Sequence, residues 1–79
     1  MKVFVTKYAL IKGIEEEEAR DVKDGMVQLT RHKFPVYMHG EGKQWHRTRE
    51  SAIATAEKMR LKKIELLKKQ IQKLEALTF

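Results

Sequence analysis

From Thr48 to Phe79 the chain contains neither Gly nor Pro, and no other feature of its 79 residues constrains the fold as strongly. Gly and Pro are the two residues that interrupt helices, so the segment reads as one continuous rod. Roughly 29 helical residues at about 1.5 Å each give a length of about 43 Å. The distal half carries a heptad, with Ile64 and Ile71 at a and Leu67 and Leu74 at d. The residues before Thr48 are too few to cover a rod of that length. Part of the helix is therefore predicted to project and to seek a partner, most simply a second copy of itself.

The heptad does not run the whole way. Carried backwards it places Glu57 at a and Arg60 at d, and neither charge can line a dry seam without a large desolvation penalty. Ala52, Ile53, Ala56 and Met59 make a separate apolar stripe. The helix is thus predicted to divide near Arg60. Residues 48–60 dock on the chain's own sheet, and residues 61–79 present Ile64, Leu67, Ile71 and Leu74 to a partner. Ile at a and Leu at d suits a parallel pair. Such a pair would set Lys63 against Lys68 of the second copy, whereas an antiparallel pair could bring Lys68 near Glu75. Sequence leaves the orientation open, and the charges lean towards antiparallel. The competing reading is that the stripe folds back on its own chain or frays.

Residues 1–47 read as an antiparallel meander of four or five short strands, giving an α+β fold in a single domain. Lys2 to Ile11 is rich in Val, Phe, Tyr and Ile and is assigned to a strand with apolar groups on both faces. Lys12-Gly13 marks a turn. Ile14 to Val22 is assigned to a second strand despite Glu15 to Glu18, because it lies between two turn signals. Lys23-Asp24-Gly25 suits a hairpin, followed by a strand over Met26 to Arg31 with Val27 and Leu29 inward. Val36–His39 and Lys43–Arg47 are expected to pair across Gly40-Glu41-Gly42. Trp45, the only Trp, is expected to be buried beneath the first half of the helix, near Ile53 and Ala56. Thr48 is a good helix N-cap.

Residues 1–48 hold nine Lys/Arg against seven Asp/Glu, and residues 49–79 hold eight against four, so most of the net +6 lies on the helix. Lys58, Lys62, Lys69 and Lys73 fall on positions turned away from the a/d seam and form a stripe. Such a stripe suits phosphate through counterion release, although solvated lysines are the commoner outcome and Glu65 can pair with Lys69. The chain has no Cys, which removes disulfides and thiolate metal sites as supplements to a small core. No apolar run has membrane-spanning length or the form of a secretory segment. The expectation is a cytoplasmic setting with no membrane partner.

Nothing in the sequence specifies a reaction. His32, His39 and His46 have no metal-ligand spacing, although His39 and His46 would face each other across the predicted hairpin. Glu15 to Glu18 reads as a charged edge strand that discourages aggregation. There is no G-x-S-x-G and no phosphate loop. The expectation is therefore no catalytic residue, no cofactor, no metal and no small-molecule substrate.

Lys7-Tyr8-Ala9-Leu10 with Gly13-Ile14, Thr48-Arg49-Glu50-Ser51-Ala52, Ala56-Glu57-Lys58-Met59-Arg60 and the stretch Lys68 to Glu75 resemble a group of small uncharacterised phage and prophage proteins. The resemblance covers both ends of the chain and leaves out residues 15–44. It implies the cytoplasm of a bacterial host, and it implies no activity and transfers no functional residue. Together these readings predict a non-enzymatic, self-associating interaction module serving as a phage accessory protein. Nucleic-acid binding through the lysine stripe is the alternative.

Overall fold

The computed structural model describes residues 1–79 and shows an α+β protein: a curled five-stranded antiparallel sheet followed by a long C-terminal helix. The strands are β1 (Lys2–Val5), β2 (Glu15–Lys23), β3 (Met26–Leu29), β4 (Val36–His39) and β5 (Trp45–His46). The helices are α1, a single turn over Ala9–Lys12, and α2, spanning Arg49–Glu75. The spatial order is β4-β3-β2-β1-β5. Strands β1 to β4 follow one another as a meander, and β5 crosses to the far side to pair with β1. The short connection from β4 to β5 spans from one edge strand of the sheet to the other. Gln44, beside β5, accepts the His39 amide of β4 through Oε1 at 3.0 Å.

The core lies inside this curl. Val3, Val5, Ala19, Val27, Leu29, Met38 and Trp45 form one buried cluster. Val3 and Val5 share one face of β1, and Val27 and Leu29 share one face of β3, as the period of two requires. The β2–β3 turn is closed by Gly25, whose φ of 71° a side chain would disfavour.

Four expectations are corrected. The first strand ends at Val5, not Ile11. Thr6 leaves the ladder because its polar groups find partners across the sheet. Its amide donates to the Gln44 carbonyl at 2.8 Å, and its hydroxyl to the Lys43 carbonyl at 2.6 Å. Its own carbonyl accepts the Ala9 amide, and Ala9 to Lys12, mostly good helix formers, wind into one turn. Gly13, at φ 77°, ends it. Second, β4 and β5 do not form a hairpin across Gly40–Gly42. Register pairs β4 with β3 and β5 with β1.

Third, Glu15 to Glu18 lie on no edge. They pair with β1, in the register Lys2↔Glu18 to Val5↔Glu15, and β2 continues into a pairing with β3. Glu16 meets Lys2 at 3.7 Å and Arg49 at 3.8 Å, Glu18 meets the N-terminal amine at 3.8 Å, and Glu17 lies 3.1 Å from His32 Nε2. Fourth, Ile53 does not face the sheet. It is 46% exposed. Trp45 is fully buried as expected, but its neighbours in the cluster are sheet residues. The inner face of α2 is Ala52, buried, with Thr55, Ala56 and Met59 half-buried, the i, i+3, i+4, i+7 stripe of a docked helix.

Candidate self-association surface

Helix α2 starts where its cap sets it. Thr48 is extended, and its Oγ1 accepts the Ser51 amide at 3.2 Å. The helix then runs 27 residues, about 40 Å at 1.5 Å per residue. Small Ala52 and Ala56 let its first turns lie close to the sheet. From Arg60 to Phe79 every residue is exposed, so the distal half of the helix does not fold back on the chain, and the molecule is 55 Å long on an axis of 27 and 21 Å in the other directions.

The predicted seam residues lie on this free half. Ile64 is 36% exposed and Leu74 68%, with Leu67 and Ile71 between. At about 100° per residue, they share one face, turned roughly 90° around the helix from the docked stripe. Ile53 belongs to the same face, because Ile53, Arg60, Leu67 and Leu74 are spaced by seven. The face is therefore longer than its heptad half, with a polar interruption at Glu57 and Arg60. These two pair with each other, Arg60 Nη2 to Glu57 Oε2 at 2.8 Å. The pairing lowers the Glu57 carboxyl below its ordinary range and raises the Arg60 guanidinium, hydrogen bonding being the larger cause in both.

Lys58, Lys62, Lys69 and Lys73 occupy the opposite side of α2 and are all exposed. Glu65 meets Lys69 at 3.7 Å. Beside the stripe, Leu10 of α1 faces Met59 and Leu66 of α2 across an open apolar-floored notch of about 490 Å³, with Lys62, Lys63 and Lys69 at its rim. Sequence reasoning missed the notch because it placed Leu10 on a strand.

The histidines separate. His32 and His39 are exposed, whereas His46 is 1% exposed and sits between β1 and the start of α2. Its Nδ1 is 2.7 Å from Ser51 Oγ and its Nε2 3.1 Å from Thr6 Oγ1. Burial holds its pKa below the ordinary value, and Glu41 opposes the shift. No group of three or more His, Cys, Asp or Glu side chains converges as a metal-ligand set, and no helix is long and apolar enough to cross a membrane. Comparison with protein-family models, curated proteins and solved structures finds no match to the chain.

Proposed function

We propose that this protein is a self-associating interaction module in which the free half of α2 pairs with the same segment of a second copy. One observation carries the reading. Ile64, Leu67, Ile71 and Leu74 share a face of a helix that projects beyond its own sheet, and all four are exposed in the single chain. A contiguous apolar face of that kind marks an interaction site. The register supports a copy of the same helix as occupant, because a/d layers of Ile and Leu interdigitate with their like. The charges favour antiparallel pairing, since a parallel pair juxtaposes Lys63 and Lys68. The resemblance of the chain's two ends to phage and prophage proteins supports an accessory role in a bacterial cytoplasm.

The test is the concentration dependence of thermal unfolding. A pair that forms only between folded chains raises the midpoint as protein concentration rises. A midpoint that stays constant across the micromolar range contradicts the proposal.

The lysine stripe supports a second reading, as a nucleic-acid-binding face. It lies across α2 from the seam and would stay free in a pair. Lys58, Lys62 and Lys73 also make none of the ion pairs within 4.0 Å. Binding of this type is independent of sequence and weakens steeply with salt. Anisotropy of labelled single-stranded and duplex DNA at low salt tests it, and an unchanged signal removes it.

A further inference from the structure

We propose that Ser51 is a nucleophile, with His46 as its base and Thr6 as the residue that positions that base, and that it takes acyl groups from small uncharged esters. Ser51 is the only serine of the chain, and there is no cysteine. It is exposed on the first turn of α2, while the histidine it touches is almost wholly enclosed.

The proton assignments follow from the contacts. The Thr6 hydroxyl donates to the Lys43 carbonyl at 2.6 Å, so its oxygen has only lone pairs left for His46. Nε2 of His46, 3.1 Å away, must therefore carry the ring proton. Nδ1 is then the unprotonated nitrogen, and the Ser51 hydroxyl at 2.7 Å donates to it. A nucleophile donates to a base that is oriented by a third group, the relation on which activated serines depend. Burial, which lowers the pKa of His46, keeps the ring neutral and able to accept at neutral pH. The Ser51 amide is taken by Thr48 Oγ1 and the Ala52 amide by the Thr48 carbonyl, so the help for an oxyanion beside Ser51 is the positive end of α2.

The site is an open depression of about 670 Å³ in which His46 and Ser51 sit beside Arg47. Arg47 is engaged by Glu41 at 2.9 Å and Asp21 at 3.3 Å. Arg47 is the one cation among the lining residues, and both carboxylates hold it, which points to a neutral ester. Ser51 Oγ bonds to the acyl carbon as its proton passes to His46 Nδ1. The ester C–O bond breaks, and the leaving oxygen takes that proton from Nδ1. The products are an alcohol, acyl-Ser51 and neutral His46. Water, deprotonated by the same nitrogen, releases the acid and restores Ser51. Thr6 is forty residues from His46, so no short motif announces the trio, although His46 and Ser51 are only five apart. The proposal stands or falls separately from self-association.

The experiment is acetylation of the full chain by p-nitrophenyl acetate, followed by peptide mapping by mass spectrometry. The rate at Ser51 in the folded protein is compared with its rate in the urea-unfolded chain. General-base assistance predicts acceleration of about 100-fold or more in the folded protein. It also predicts a rate that falls as pH drops through the titration of His46. Thr6→Val should lose most of the acceleration and Thr6→Ser should recover it, with the fold checked by circular dichroism. Acetylation of folded Ser51 no faster than in the unfolded chain overturns the proposal. A folded Thr6→Val variant that keeps the full rate and pH profile overturns the role given to Thr6.

Discussion

Replacing Trp45 with Phe tests the packing inside the curl. The indole is fully buried among Val3, Val5, Ala19, Val27, Leu29 and Met38. Its Nε1–H donates to the Gly25 carbonyl at 3.0 Å, tying β5 to the β2–β3 turn. The Arg47 guanidinium lies 5.2 Å from the ring centre. Phe keeps one six-membered ring and loses the rest. The orphaned carbonyl costs about 1 kcal/mol, the low end for a buried group, because this turn is only partly enclosed. The space left by the second ring costs about 1–2 kcal/mol more. A loss of about 2–3 kcal/mol is large against the roughly 4–12 kcal/mol expected for a domain of this size. It should lower the thermal midpoint by roughly 10–20 °C. The assay is far-ultraviolet circular dichroism during heating, with guanidinium titration alongside and protein concentration held fixed. A loss below about 1 kcal/mol would refute the reasoning, because it would mean that neither the hydrogen bond nor the second ring contributes.

Three further outcomes are expected. Leu29→Ala should cost about 2–5 kcal/mol, as core truncations do, whereas Ile53→Ala should stay within about 0.5 kcal/mol of the wild type when the chain is monomeric; guanidinium midpoints at the lowest workable concentration compare them. Stability should fall as pH drops below the ordinary histidine value of 6.5, because the folded pKa of His46 is lowered and the unfolded chain takes the proton first; urea midpoints at pH 7.5 and 5.5 measure it, and a His46→Gln variant should lose that part of the slope. Leu67→Ala with Leu74→Ala should leave the sheet's dichroism intact and make the thermal midpoint independent of concentration.

Local chemistry marked much of this fold, and non-local pairing set the rest. Lys12-Gly13 and Asp24-Gly25 bracketed β2 correctly against the poor strand propensity of four glutamates. Thr48 capped α2 as expected, and the run without Gly or Pro did project. Val, Tyr and Ile suit a strand, so composition alone carries the first strand on to Ile11, past its end at Val5. What stops it is the bonding of Thr6 to Lys43 and Gln44, about forty residues away. The Gly40–Gly42 loop looks like a hairpin locally, but curling of the sheet carries β5 to β1. The apolar stripe Ala52, Ile53, Ala56 and Met59 puts Ile53 inward. The docked face is instead set by the smaller Ala52, Thr55, Ala56 and Met59, and Ile53 falls in phase with Leu67 and Leu74. In the Thr6–His46–Ser51 trio, His46 and Ser51 are only five residues apart, whereas Thr6 is forty away and reaches His46 only through the pairing of β5 with β1.

The central claim is that the free half of α2 meets a second copy, and the most direct test is solution mass. Multi-angle light scattering of the wild-type chain over a micromolar concentration series should give about twice the 9.3 kDa of one chain at the upper end. It should fall towards the monomer on dilution. A mass that stays at one chain throughout would contradict the account.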